Sequence, residues 1–174
     1  MRTIPYLKNT VILQYIINTP FKVDKVFDFF IDDNFSKYYS KIAKGHDYFF
    51  LRAGKRIEVG SIIDCEESAG NQSIRHEYHV SDIIRNERIA YFSKPSYMKI
   101  KLPWKVIDTI SNTYVYYDFE SIHSESSNIR LTIGIQFSSK YEKIFSVFFG
   151  GMIPWKNHCK EEMEGLKRVL VDTL

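Results

Sequence analysis

Charge of one sign never accumulates in this sequence. No run of five Lys/Arg or of five Asp/Glu occurs, and 24 basic residues are offset by 21 acidic ones, for a formal charge of +3. A nucleic-acid binder concentrates Lys and Arg on one face, so nucleic acid is not expected as a partner. Cysteine is scarce as well. Cys65 and Cys159 are the only two, and they match no zinc or redox spacing. They read as reduced, buried thiols of a reducing compartment, with one disulfide between them as the alternative. No apolar run approaches the ~20 residues of a transmembrane helix. Met1 to Asn9 lacks the basic-then-apolar order of a secretory signal, so a cytoplasmic location is expected. Internal repeats, low-complexity segments and linkers are missing too. A chain of 174 residues without them is expected to form a single domain, 1–174.

What the sequence does hold is apolar and aromatic. Hydrophobic residues make up 44% and aromatics 16%, with 13 Phe and 12 Tyr. Rings in such number either coat a half-exposed sheet, which suits Tyr, or line a wide interior.

Hydrophobic periodicity divides the chain. Val11 to Ile17 is β-branched and reads as a first strand. Thr19-Pro20 ends it and is expected to cap a helix, along which Val23, Val26, Phe27 and Phe30 recur at helical spacing. Asp32-Asp33-Asn34 breaks that helix, and a second short one follows from Asn34 to about Tyr39. The period then becomes two. Strands are expected at Tyr48 to Arg52, Ile57 to Glu66, Ser73 to Asp82, Arg88 to Ser93, Val106 to His123 and Asn128 to Phe137, with a hairpin turn at Gly70-Asn71. Val59, Ser61, Ile63 and Cys65 share one face; Ile74, His76, Tyr78 and Val80 share one face of the next strand. Tyr141 to Phe149 reads as helix, and Gly150-Gly151 with Pro154 breaks it. Beyond the break, Trp155, Cys159, Met163, Leu166 and Leu170 step by four or three along the apolar face of a long helix, about Pro154 to Val171.

Strands with one apolar face need a covering layer, and only the last helix is long enough to supply it. The expected architecture is an α+β helix-grip fold. An antiparallel sheet of about seven strands wraps a long C-terminal helix, and two short helices after the first strand close one end.

This order, with its local wording, resembles the START-like superfamily, including its birch-pollen-allergen-like, polyketide cyclase/dehydrase and coenzyme-Q-binding groups. The resemblance is carried by Thr19-Pro20 leading into Val23 to Phe29, by Asp33 to Tyr38, by Val59-Gly60-Ser61 and Glu87 to Tyr91, and by the final helix through His158 to Lys167. It spans nearly the whole chain. It implies a pocket for a lipid, isoprenoid, polyketide or similar apolar molecule, and it transfers no catalytic residue.

Candidate ligand-binding residues follow from the inward faces. His76 and Tyr78 are polar groups on an otherwise apolar face, the arrangement that orients a ligand in a hydrophobic pocket. His76 also suits acid–base work near neutral pH. The bland alternative is a core histidine with its hydrogen bonds satisfied. Tyr117 lines the pocket or bonds a backbone carbonyl. Cys65 and Cys159 face inward and read as small hydrophobes; Trp155 and Met163 join them from the final helix. Lys94 to Lys105 mixes lysines with Pro95, Tyr97, Pro103 and Trp104. It reads as an edge strand guarded by lysines, with a rim in peripheral contact with a membrane as the alternative. His76 and His79 are three apart on a strand and point to opposite faces, and His46, His123 and His158 have no ligand spacing, so no metal and no cofactor is expected.

The leading expectation is therefore a non-catalytic binder or carrier of a hydrophobic small molecule. A cyclase/dehydratase-type enzyme acting on a polyketide-like substrate, with His76 and Tyr78 as its acid–base pair, is the alternative. A co-chaperone-type interaction module is a third class.

Overall fold

A computed structural model describes residues 7–32, 34–148 and 150–174. Met1 to Tyr6, Asp33 of the expected helix break and Phe149 lie outside the described residues. The elements are β1 (Thr10–Thr19), α1 (Val23–Ile31), α2 (Asn34–Ile42), β2 (His46–Leu51), β3 (Ile62–Ala69), β4 (Gln72–Ile84), β5 (Arg88–Leu102), β6 (Lys105–His123), β7 (Ser126–Phe137), α3 (Lys140–Phe148) and α4 (Ile153–Thr173). The seven strands form one sheet in the order β1-β7-β6-β5-β4-β3-β2, and every neighbouring pair is antiparallel. This is the expected helix-grip α+β architecture.

Two-residue alternation decides which way each strand faces. On β4, Ile74, His76, Tyr78 and Val80 are buried, whereas Glu77 is exposed, His79 half-buried, and the two are paired with one another. On β6, Val115, Tyr117 and Phe119 are buried, and Asp118 on the opposite face binds Arg88. The inner face packs ring against ring. Phe30 of α1 meets Tyr117 and Phe119, with ring centres 4.7 and 5.2 Å apart, and Phe35 of α2 meets Tyr117 at 5.8 Å. The two short helices thus seal one end of the sheet through aromatic contacts.

Helix α4 lies across this inner face, touching β1 at one side, β3 at the other, and α2. Trp155, Cys159, Met163, Leu166 and Leu170 are all buried, as their spacing requires. Pro154 occupies the first turn, where its missing N–H costs nothing. The helix start is tied to β4: Trp155 Nε1 donates to Gln72 Oε1 at 2.7 Å, and Gln72 Nε2 donates to the Gly151 carbonyl at 2.8 Å.

Several expectations are corrected. Lys94 to Lys105 is not an edge strand, because β5 and β6 are central and run as one long hairpin; the edges are β1 and β2. Pro95, which cannot donate to a ladder, sits where the β5–β6 register slips between Ser93 and Ser96. Thr19-Pro20 does not cap α1. Thr19 ends β1 with its hydroxyl 3.1 Å from that of Ser127, and Lys22 takes the cap position without a side-chain bond. Strand β3 begins at Ile62 rather than Ile57, leaving Val59 exposed. Among the described residues, no helix is long and apolar enough to cross a membrane. Helix α3 has no buried residue among those described, and Tyr141, Phe145 and Phe148 are exposed on it.

The approach of α4 to α2 depends on one missing side chain. A Cβ at Gly165 would sit 1.7 Å from the Ile42 carbonyl oxygen. Gly165→Ala must push the two helices apart, and overpacking of this kind costs ~1–3 kcal/mol. Denaturant unfolding should show that loss, and Lys160→Ala on the exposed side of α4 should not. Equal stability of Gly165→Ala and the parent would refute the contact.

Candidate functional site

The inner face carries an unusual load of ionisable groups for a packed interior. They converge from α2, β2, β3, β6 and α4. Each arrives for a local reason. Tyr39 is on the buried side of α2. The chain then turns through Gly45, where a Cβ would lie 1.8 Å from the Ser68 carbonyl oxygen and 3.0 Å from His158 Cε1. Only glycine permits that approach, and it is locked by the Ser68 N–H donating to the Gly45 carbonyl at 2.7 Å. His46 and Phe49 are three apart on β2 yet both buried, because the register slips between His46 and Tyr48. Such a bulge re-aims a side chain. It places His46 opposite Glu67 of β3, which follows Cys65 on the inward face. His158 and Glu162 are one turn apart on the buried side of α4.

The contacts form a chain. The Tyr39 hydroxyl donates to Glu67 Oε1, and the Cys65 thiol lies 3.4 Å from the same oxygen and 3.1 Å from the Tyr39 hydroxyl. His46 stacks on the Tyr39 ring at 3.8 Å, and its Nδ1 is 2.9 Å from the Tyr39 carbonyl. A carbonyl only accepts, so Nδ1 carries the proton and neutral His46 presents a bare Nε2. That Nε2 is 4.0 Å from Glu162 Oε2, and His158 Nε2 is 3.9 Å from Glu67 Oε2. The Tyr117 hydroxyl donates to Glu162 Oε1. Neither His46 Nε2 nor His158 Nε2 has a hydrogen-bond partner among the described residues.

Burial sets most of the protonation states here. It lowers His46 and His76 to about 4, so both are neutral at pH 7. It raises Glu162 to about 8, with the charge of Glu67 adding to the shift, so Glu162 holds its proton. Burial also pushes Glu67 upward, but His46, His158, His76 and the Tyr39 hydroxyl outweigh it and hold Glu67 low as a carboxylate. The Cys65 and Cys159 thiols are raised chiefly by burial, which makes both inert as nucleophiles.

All seven residues expected to bind a ligand are buried: Cys65, His76, Tyr78, Tyr117, Trp155, Cys159 and Met163. Cys65 and Tyr117 join the polar cluster. His76 stands apart from it, held by Ser96, whose hydroxyl is 3.0 Å from Nδ1 and donates to Thr113 at 2.9 Å. Tyr78 stacks on His76 and meets Tyr91 edge-on, with ring centres 4.4 and 4.9 Å away. His76 lines a cleft of about 620 Å³ with Arg75, Pro95 and Tyr97, and Tyr78 and Tyr117 belong to a ring-packed wall. Open space also flanks α4. A cleft of about 370 Å³ separates it from β1 among Leu13, Tyr15 and Cys159, and one of about 440 Å³ opens at its N-terminal end beside Gly45, Ala69, Pro154 and His158.

Tyr39, His46, Glu67, His158 and Glu162 were not singled out from the sequence. Glu67 was within reach, since the alternation that turns Cys65 inward continues to it. His158 and Glu162 lie at helical spacing on the face occupied by Cys159 and Met163. His46 carried no such signal, because a bulge cannot be read from alternation.

No family model and no curated protein matches the sequence. Solved structures do. A conserved protein from Geobacillus kaustophilus matches at 14% identity and a TM-score of 0.64, over 94% of this chain and 97% of that one. A START superfamily protein from Mycobacterium smegmatis matches at 12% identity and a TM-score of 0.57, over 91% of this chain and 93% of that one. DynU16, from the dynemicin biosynthetic locus, matches at 11% identity and a TM-score of 0.53; 91% of this chain is covered, but the chain spans only 46% of that protein. At these identities the likeness establishes the fold, and it is the START-like fold that the order of segments resembles.

The neutral buried histidines tie stability to pH. Unfolded histidine takes up a proton near ~6.5, whereas His76 and His46 do so in the folded chain only near about 4. The unfolded state therefore binds more protons as pH falls below ~6.5, and stability drops through that window. Glu162, raised to about 8, works in the opposite direction across this window, so the histidine contribution is read as a difference between proteins. In urea unfolding, His76→Gln should lose ~2 kcal/mol less than the parent between pH 7 and pH 5. The same pH dependence in both proteins would contradict a neutral, buried His76.

Proposed function

We propose that the protein binds a hydrophobic small molecule alongside α4, holding its apolar body in a flanking cleft and its polar end against the buried cluster. One observation carries this reading: clefts reach α4 from two sides, while its covered face combines Cys159 and Met163 with His158 and Glu162. Both clefts fall in the few-hundred-Å³ range of small-molecule sites. Polar groups with unused hydrogen-bonding capacity inside apolar walls favour a ligand that carries a few donors or acceptors. The fold shared with a START superfamily protein supports the same reading, and a lipid, isoprenoid or polyketide-like compound fits it best.

A cyclase/dehydratase-type enzyme is the second reading. What favours it is the pairing of each carboxyl of the cluster with a tyrosine hydroxyl, Glu67 with Tyr39 and Glu162 with Tyr117. Such pairs lie within the reach that proton transfer requires. His76 is bonded to Ser96 and lies outside these pairs, so the acid–base roles move from His76 and Tyr78 to this cluster.

A native mass spectrum of freshly purified protein should show a non-covalent adduct of lipid-like mass. An apolar fluorescent probe such as anilinonaphthalene sulfonate should bind and be displaced by that compound. Leu13→Trp narrows the cleft against β1 and should weaken probe binding by ~10-fold, the order expected for losing apolar contact of one to two methylenes. No adduct together with no probe binding would remove the reading.

A further inference from the structure

We propose that His46, Glu67 and His158 form a binding site for a divalent transition-metal ion, zinc by its donor set, with one coordination position left open towards Glu162. The reading of the sequence expected no metal, because these residues have no ligand spacing along the chain. The fold supplies the proximity that spacing lacks. One ligand atom from each residue, two imidazole nitrogens and a carboxylate oxygen, lies within 4.8 Å of the others. Ligands at about 2.0–2.1 Å from an ion stand roughly 3.3 Å apart at a tetrahedral angle, so the three need to close by about 1.5 Å at most.

The site is built for a ligand it must receive from outside. Both Nε2 atoms are buried without a hydrogen-bond partner among the described residues. Buried polar atoms left in that state are costly, and a single cation would satisfy both together with the third donor. Two of the three donors are also held by a second contact of the kind that orients metal ligands. The Tyr39 carbonyl fixes the proton of His46 on Nδ1 and leaves Nε2 free to coordinate. Tyr39 and Cys65 engage Oε1 of Glu67, which leaves Oε2 turned toward His158 at 3.9 Å. Two imidazoles and one carboxylate suit zinc and its transition-metal neighbours, whereas calcium and magnesium favour all-oxygen sets. Three protein ligands leave a fourth place for water, and Glu162 Oε2, 4.0 Å from His46 Nε2, lies beside that place. His158 also lines the cleft of about 440 Å³ at the start of α4, which gives an ion a way in.

The inference does not rest on the ligand reading, since a metal site stands with or without an apolar molecule beside α4. The test uses the full chain, stripped with a chelator and titrated with zinc chloride and with cobalt chloride. One equivalent of zinc should bind and raise the melting temperature, and cobalt should give the visible absorption of a four- or five-coordinate ion. His46→Gln and His158→Gln should each weaken zinc by ~100-fold or more, and Tyr39→Phe, which frees only the outer contact on Glu67, by ~10-fold. His79→Gln, at a histidine on the outer face of β4, should bind as the parent does. Imidazole NMR of the unaltered protein decides between the outcomes even if a variant fails to fold: the first equivalent should shift His46 and His158 and leave His79 in place. No stoichiometric binding, or a shift of His79 with His46 and His158 unmoved, would overturn the site. Probe binding measured on the same samples separates the two ideas, because its survival in a protein that takes no zinc removes the metal site alone.

Discussion

Two carboxyl groups on the inner face, Glu162 buried and Glu67 partly so, set the terms for everything around them. An unpaired buried charge is too costly for a domain of ordinary stability, so each must be neutralised, hydrogen-bonded or given a counter-charge. Glu162 is neutralised by burial and accepts the Tyr117 hydroxyl. Glu67 remains a carboxylate that accepts from the Tyr39 hydroxyl and the Cys65 thiol, and the neighbouring imidazoles add counter-charge only where they protonate at low pH. Both solutions need five elements to meet within a few side-chain lengths. The glycine contacts at Gly45 and Gly165, the bulge after His46 and the tether of Trp155 to Gln72 are what let them meet.

The rest of the molecule serves as a frame for that meeting. The long antiparallel sheet supplies a wall that does not yield, because every strand except the two edges is paired on both sides. Rings from α1 and α2 fill one end of the interior, and clefts are left on the flanks of α4. Charges that do not belong to the cluster stay outside: Arg52 with Asp64 and Glu77, Arg88 with Asp118. The proposed small-molecule binding rests on this arrangement of a polar site on paired elements with a cleft on either side of α4.

Most of the fold is legible in the sequence, and the reason is periodicity. Alternation assigns His76, Tyr78 and Tyr117 to the inner face, and four-three spacing assigns Trp155, Met163 and Leu166 to the covered side of α4; all are buried. Readings failed where a local rule met a tertiary one. Lysines and prolines between Lys94 and Lys105 imitate a guarded edge, yet a register slip lets Pro95 sit in the centre of the sheet. Thr19-Pro20 imitates a helix cap, yet the Thr19 hydroxyl is taken by Ser127 across the strand pair. The polar cluster was half visible. Glu67, His158 and Glu162 obey the spacing of their elements, but a search for histidines near one another in sequence could not join His46 to a residue 112 positions away. Their meeting is a property of the grip.

The central claim is that His46 is held neutral with its proton on Nδ1, turning a bare Nε2 into the cluster. Nitrogen-15 NMR of the imidazole ring in chelator-treated protein at pH 7 reads this directly. The account predicts one protonated nitrogen, Nδ1, for His46. An imidazolium ring, or a proton on Nε2 directed at Glu162, would contradict it.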